Sequence, residues 1–429
     1  MKKISFYTLG CKLNQSETAV IAEQFSKSGY EIVPFGEEVD LCVINTCTVT
    51  EKTDYRCRQM IRRAKKVSPG ATISVVGCYA QLNPEKIEKI DGVDFVLGSD
   101  RKFDLLEMVK NKTKENSPVV STSDNDEFHY PLPGNFWNHT RAFLKIQDGC
   151  DNFCSYCRVP LARGKSRSDS VDHVINSARK LADRGHKEIV LTGVHIGMYG
   201  RDLNPKLNLV NIIQEIEKVP GIERIRLSSM EPLEVTEEIL HWIADSEKAC
   251  LHLHIPLQNG DDEILRKMKR NYDTKKYARV VRQVAKYLPG CCIGTDIIVG
   301  FPGETEEHFQ NTKRFVEEQP FSYFHVFSYS KRSGTKAVSY PDHVHPDTIK
   351  KRSEILREIG AKKKRDYLKS FVGKELRVLW EEKTKQDWLQ GWSDNYIRVR
   401  VRFDPDLINT LTLVRITKAY DDFVEGVIV

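Results

Sequence analysis

The 429-residue chain is long enough for about three domains, and its 40% hydrophobic, 29% charged and 9% aromatic content excludes a disordered or fibrous protein. A net charge of +6 is too small to define a partner, so where the basic residues cluster matters more than their sum. Met1-Lys2-Lys3 and the stretch Ile4 to Leu9 are too short and too polar for a signal-peptide core, and no run of about eighteen apolar residues follows, so neither export nor a membrane span is expected.

With no export signal, a cytosolic location is expected, where the eleven cysteines are better suited to metal ligation than to a disulfide framework. From Lys2 to about Lys110 short β-rich runs (Ile4–Leu9, Leu41–Ile44, Ile73–Val76, Asp94–Leu97) alternate with helical stretches. This rhythm predicts a parallel sheet flanked by helices, an α/β domain over residues 1–112. Residues 113–139, rich in Ser, Asn, Asp, Pro and Lys, read as a linker.

From residue 140 the rhythm resumes with six candidate strands: Ala142–Ile146, Ile189–Leu191, Ile225–Leu227, Leu251–Ile255, Ile293–Val299 and Tyr323–Tyr329. Six strand–helix units predict a partial (β/α)6 barrel over residues 140–370, with its chemistry at the C-terminal strand ends. It closes on a basic helix, about Thr348 to Ser370. Residues 371–429 carry four strand-like runs and predict a small all-β barrel. With no long amphipathic heptads, a monomer is expected.

Cys150-x3-Cys154-x2-Cys157 follows the first barrel strand and offers three thiols without an adjacent fourth, which leaves one iron of a four-iron cluster open. A zinc site completed by His139 or His195 is the alternative that the residues alone allow. In the N-terminal domain, Cys11, Cys47 and Cys78 each follow a candidate strand, so a parallel sheet would bring them to one edge. The remaining cysteines fall within strands or helices and read as packing. Basic residues concentrate in Glu51–Lys66, with seven, and in Lys350–Arg377, with eleven against four acids. In Tyr396-Ile397-Arg398-Val399-Arg400-Val401-Arg402-Phe403, alternation puts Tyr396, Arg398, Arg400 and Arg402 on one face, a pattern suited to RNA phosphates and stacked bases.

The Cys-x3-Cys-x2-Cys motif, with Tyr156 before its last cysteine, resembles the radical S-adenosylmethionine enzymes. The resemblance implies that the cofactor's methionyl group chelates the open iron and that cleavage of the sulfonium yields a 5′-deoxyadenosyl radical. Taken with the three N-terminal cysteines and a last segment similar to a TRAM domain, nearly the whole chain resembles the methylthiotransferases. That implies two 4Fe–4S clusters, on Cys150, Cys154 and Cys157 and on Cys11, Cys47 and Cys78, the second carrying the sulfur that is transferred.

Glu231, Gln258 and Asp296, at strand ends, are candidates for the ribose hydroxyls or methionyl amine, and Gly300 and Gly303 for close approach to adenine. Capping and backbone satisfaction are the alternative roles for Gln258 and Asp296. Gly10-Cys11-Lys12-Leu13-Asn14 and Ser228-Ser229-Met230-Glu231-Pro232 look most like the branch that methylthiolates C2 of N6-threonylcarbamoyladenosine at tRNA position 37. Isopentenyladenosine in tRNA and a ribosomal-protein aspartate are the substrates of the other branches. The resemblance implies tRNA, a reducing electron-donor protein and a sulfur source as partners. A cation in the mouth would suit the threonyl carboxylate, and Arg163, Arg167 and Arg332 are the candidates.

Overall fold

The computed structural model describes residues 1–111, 118–122, 128–131, 140–384 and 387–429. Six parallel strands form the N-terminal sheet, in the order Glu31–Val33, Lys3–Thr8, Leu41–Thr46, Thr72–Gly77, Phe95–Leu97 and Val119–Ser121. The strand Leu41–Thr46 is buried along its whole length, as a central parallel strand covered on both faces must be.

The expected linker is not all linker. Val119–Ser121, within it, is the edge strand of this sheet, paired with Phe95–Leu97. Nearby Phe128 and Tyr130 join the core around Phe25, Phe95 and Phe103. The polar composition around them hid a short β-branched pair and two aromatic anchors.

The second domain is the expected open barrel. Arg141–Lys145, Glu188–Thr192 and Arg224–Leu227 pair in parallel, as do His252–His254, Cys292–Val299 and Tyr323–Ser328. A parallel bridge from Ile225 to Ala249 joins the two sets. Alternation sorts the side chains. Leu144, Ile189, Leu191, Ile225, Leu253, Ile293 and Phe324 enter the apolar core beneath the helices. Their neighbours Arg141, Lys145, Glu188, Arg224, Arg226, His252, His254, Asp296, Tyr323 and His325 therefore face the lumen. A packed barrel fills that space with branched aliphatics; this one is lined with charge, imidazole and phenol.

The helix Pro346–Lys369 packs on the last barrel strand and leads into a closed five-stranded barrel. Four of its strands match the expected runs, and Trp388–Ser393 is the fifth. Trp380, Val399, Leu389 and Val414 fill its interior.

Candidate functional site built from two cysteine loops

Cys11, Cys47 and Cys78 all lie at the C-terminal edge of the N-terminal sheet. Cys11 precedes the helix Lys12–Lys27, Cys47 follows the strand Leu41–Thr46, and Cys78 opens the short helix after Thr72–Gly77. The loops approach so closely that a Cβ on Gly10, whose φ is +104°, would sit 2.6 Å from Cys47 Cβ and 2.9 Å from its Sγ. Burial pushes the Cys47 thiol well above its ordinary range, and the thiols of Cys78 and Cys11 push it further. Such a group gives up its proton to a metal rather than to water.

Cys150, Cys154 and Cys157 are half-buried on the loop after the first barrel strand. Arg270 Nη1 donates to Cys154 Sγ at 3.0 Å, and Arg270 also pairs with Glu231. The Val159 N–H donates to Cys157 Sγ at 3.4 Å. Burial raises Cys157 to about 12, with Cys154 and Cys150 adding to the shift. Cys150 Sγ is 3.7 Å from His195 Nδ1, and the other imidazole nitrogen is 2.7 Å from Glu234. His139, the other candidate for a zinc site, lies outside the described residues. Among the described residues no three His, Cys, Asp or Glu side chains meet at a single metal-ion centre; a four-iron cluster needs none, because each thiolate binds a different iron. The donor set, three thiols per loop with a guanidinium and a backbone N–H already aimed at sulfur in the barrel loop, fits such a cluster.

The two loops are bonded to each other. Asn14, one turn after Cys11, donates to the Leu9 and Thr46 carbonyls at 2.8 and 3.1 Å and accepts from Arg163 Nη2 at 2.8 Å. Thr48, next to Cys47, accepts from Arg332 Nη2 at 2.6 Å and from Arg158 Nη1, beside Cys157, at 3.2 Å.

These bonds correct the expected role of three arginines. Arg163 is buried between Glu17 and Asp148, at 2.9 and 3.0 Å. Arg167 is buried on the carbonyls of Arg163 and Lys165. Arg332 is buried on Asp54, at 2.6 Å. All three join domains or loops, and none is an open cation.

Of the cofactor candidates, Tyr156 lies in the barrel loop and Glu231 reaches it through Arg270. Tyr156 packs beside Ile264, Met268 and Phe301. Asp296 lies 3.1 Å from His254 Nε2. Gln258 has a φ of +71°, and its backbone bonds Asp296 and Ile298 across the strand end. Gly300 meets a packing need as well, because a Cβ there would lie 2.3 Å from Ile349 Cγ1, on the helix Pro346–Lys369.

The C-terminal barrel presents Arg398, Arg400 and Arg402 on one face, over the rings of Trp392, Phe423 and Trp388 at 5.2, 3.9 and 4.6 Å. Tyr396 does not join them. Its ring stacks on Trp392, at 4.7 Å, and on His252 of the barrel, at 4.3 Å, and so packs against the barrel instead of joining the arginine face. Three residues at the site escaped the sequence reading of its chemistry: Arg270, Glu234 and Lys12. Only Lys12 had a signal, its place beside Cys11.

The fold and the two cysteine loops define a radical S-adenosylmethionine barrel with a second thiolate triplet in front of it. The model described as Radical SAM superfamily matches residues 144–316, and that described as Uncharacterized protein family UPF0004 matches residues 3–98. The threonylcarbamoyladenosine tRNA methylthiotransferase MtaB of Bacillus subtilis is 39% identical over 437 residues, 99% of this chain and 96% of its own. That of Aquifex aeolicus is 40% identical over 93% of this chain and 96% of its own. A tRNA-2-methylthio-N(6)-dimethylallyladenosine synthase of Clostridium botulinum is 34% identical over 96% of this chain and 94% of its own. In fold alone, the radical S-adenosylmethionine methyltransferase TsrM from Kitasatospora setae is similar, with a TM-score of 0.57 at 14% identity over 79% of this chain and 77% of that one. The chain belongs to the tRNA methylthiotransferase family.

Proposed function

We infer that this chain transfers a methylthio group to C2 of N6-threonylcarbamoyladenosine in tRNA, forming the 2-methylthio derivative. The observation that carries the reading is the direct bonding of one cysteine loop to the other through Asn14–Arg163 and Thr48–Arg158. Sulfur delivery and hydrogen removal at one carbon require that proximity.

When bound, the clusters and S-adenosylmethionine supply the sulfur and a radical able to take hydrogen from a carbon without an acidic proton. The chain holds them through Cys11, Cys47 and Cys78 on one side and Cys150, Cys154 and Cys157 on the other. Arg270 stabilises the Cys154 thiolate and is oriented by Glu231, a charge-assisted arrangement. Tyr156, Gln258, Asp296 and the backbone at Gly300 form the cofactor's surroundings. Arg398, Arg400 and Arg402 take the tRNA backbone or splayed bases. The chemistry also requires an electron-donor protein and a sulfur source. No helix among the described residues is long and apolar enough to cross a membrane, and a tRNA substrate assigns the reaction to the cytoplasm.

Anaerobically reconstituted protein, incubated with reductant, S-adenosylmethionine and tRNA carrying threonylcarbamoyladenosine, should yield the 2-methylthio nucleoside by mass spectrometry. Replacing Cys11, Cys47 and Cys78 together by alanine should leave about half the iron, retain cofactor cleavage and abolish the product. Product from dimethylallyladenosine tRNA alone would overturn the reading.

A further inference from the structure

Lys12 opens the helix Lys12–Lys27 and leaves the backbone directly beside Cys11. The residue is half-buried, and its ammonium lies 6.0 Å from the centre of the Tyr396 ring, which is itself stacked on the lumen-facing His252. The cations that face the lumen from the strands have carboxylate partners. Arg141 pairs with Glu381 at 2.5 Å, Lys145 with Asp148 at 2.6 Å, and Arg224 and Arg226 with Glu188. The Lys12 ammonium has no hydrogen bond or ion pair among the described residues, and Glu188, the carboxylate that acts on it from a distance, is taken up by Arg224 and Arg226. A partly buried ammonium with no carboxylate in contact favours an incoming carboxylate over a neutral group of the same size.

The geometry of adenine says which carboxylate. C2, the sulfur acceptor, and C6, which bears the N6 substituent, both flank N1, so substituent and acceptor share one edge of the ring. A nucleobase whose C2 is brought to the Cys11 triplet therefore turns its N6 substituent toward the residues beside that triplet. Resting on the functional reading above, we propose that Lys12 is a specificity residue whose ammonium receives the carboxylate of the threonylcarbamoyl group. Arg163, Arg167 and Arg332 are excluded from the role by their burial in bonds within the protein.

The test pairs two changes that remove the same interaction from opposite sides. Wild type, Lys12→Gln and Lys12→Arg, reconstituted to equal iron content, are assayed on threonylcarbamoyladenosine tRNA and on the same tRNA with the threonyl carboxylate converted to a carboxamide. The readouts are kcat/KM and the Kd of each tRNA by fluorescence. Wild type should lose about ten- to a hundredfold in kcat/KM on the carboxamide. Lys12→Gln should lose as much on the natural tRNA and no longer distinguish the two, while Lys12→Arg keeps the preference. Equal use of both tRNAs by wild type, or an undiminished preference in Lys12→Gln, would overturn the assignment. If Lys12→Gln does not hold its iron, the wild-type and Lys12→Arg preferences decide. Wild type that modifies dimethylallyladenosine tRNA in place of the threonylcarbamoyl one would instead overturn the functional reading.

Discussion

The barrel is joined to its neighbours by two seams, each built round one fully buried glutamate, yet the two are made differently. At the N-terminal seam, Glu17 meets Lys102 at 2.5 Å, Arg163 at 2.9 Å and Lys145 at 3.0 Å, and Asp148 completes the group. Every partner is a side chain, and Arg163 goes on to Asn14 in the Cys11 loop. At the C-terminal seam, Glu188 meets Arg224 and Arg226. These arginines end mostly on main-chain oxygens of the small barrel, Trp392 O at 2.9 Å, Ser393 O at 3.1 Å and Asp394 O at 3.0 Å, with one side chain among them, Asp394 Oδ1, at 2.9 Å from Arg224. The first seam fixes individual side chains that carry the chemistry; the second fixes a domain largely by its backbone, with the ion pairs Arg224–Asp394 and Arg141–Glu381 beside it.

Breaking the first seam should cost the most. Glu17→Gln leaves three buried cations round a neutral amide, and should lower stability by about 4–5 kcal/mol and release iron; a urea midpoint and an iron assay measure both. Glu188→Gln should cost about 3 kcal/mol without loss of iron, because no cysteine loop hangs on it. The two losses should add within about 0.5 kcal/mol if the seams are independent.

Acid offers a milder route to the second seam. Burial alone would raise the Glu188 carboxyl, but Arg224 and Arg226 overcome it and hold the group well below the usual carboxylate range. Its stabilisation is therefore complete above that range and is lost as pH falls through it toward the depressed value. Limited proteolysis should find the junction before residue 371 increasingly cleavable below about pH 4. Thr48→Val removes the acceptor shared by Arg332 and Arg158 and should cost about 1–2 kcal/mol, with product formation falling more than cofactor cleavage. Smallest is the arginine face: alanine at Arg398, Arg400 or Arg402 should weaken tRNA binding modestly, and should reduce the salt slope by about one for each phosphate left without its guanidinium.

Much of this was legible in the sequence because strand ends of a parallel sheet converge by topology. Cys11, Cys47 and Cys78 could be grouped by their places after strands, and Cys150, Cys154 and Cys157 by their spacing. The roles of Arg163, Arg167 and Arg332 were not legible. A basic residue in a mouth loop reads the same whether it meets solvent or another domain, and Glu17 lies 146 residues from Arg163 on a helix of that other domain. Tyr396 was misplaced because alternation holds only within a strand. At φ +59° it sits in the turn before Arg398–Arg402, where the side-chain direction is reset. Lys12 was legible in position but not in consequence, since its lack of a carboxylate in contact exists only in three dimensions.

The largely main-chain character of the C-terminal seam bears on how such a protein can change over time. Carbonyl oxygens are supplied by any residue, so the contacts of Trp392 and Ser393 with these arginines constrain backbone shape rather than sequence, while Asp394 is held also by its carboxylate, which pairs with Arg224 and Arg377. A different nucleic-acid module could be grafted onto this catalytic body only if it brought a turn of the same form. Simple deletion would leave the guanidinium groups of Arg224 and Arg226 with a single glutamate between them.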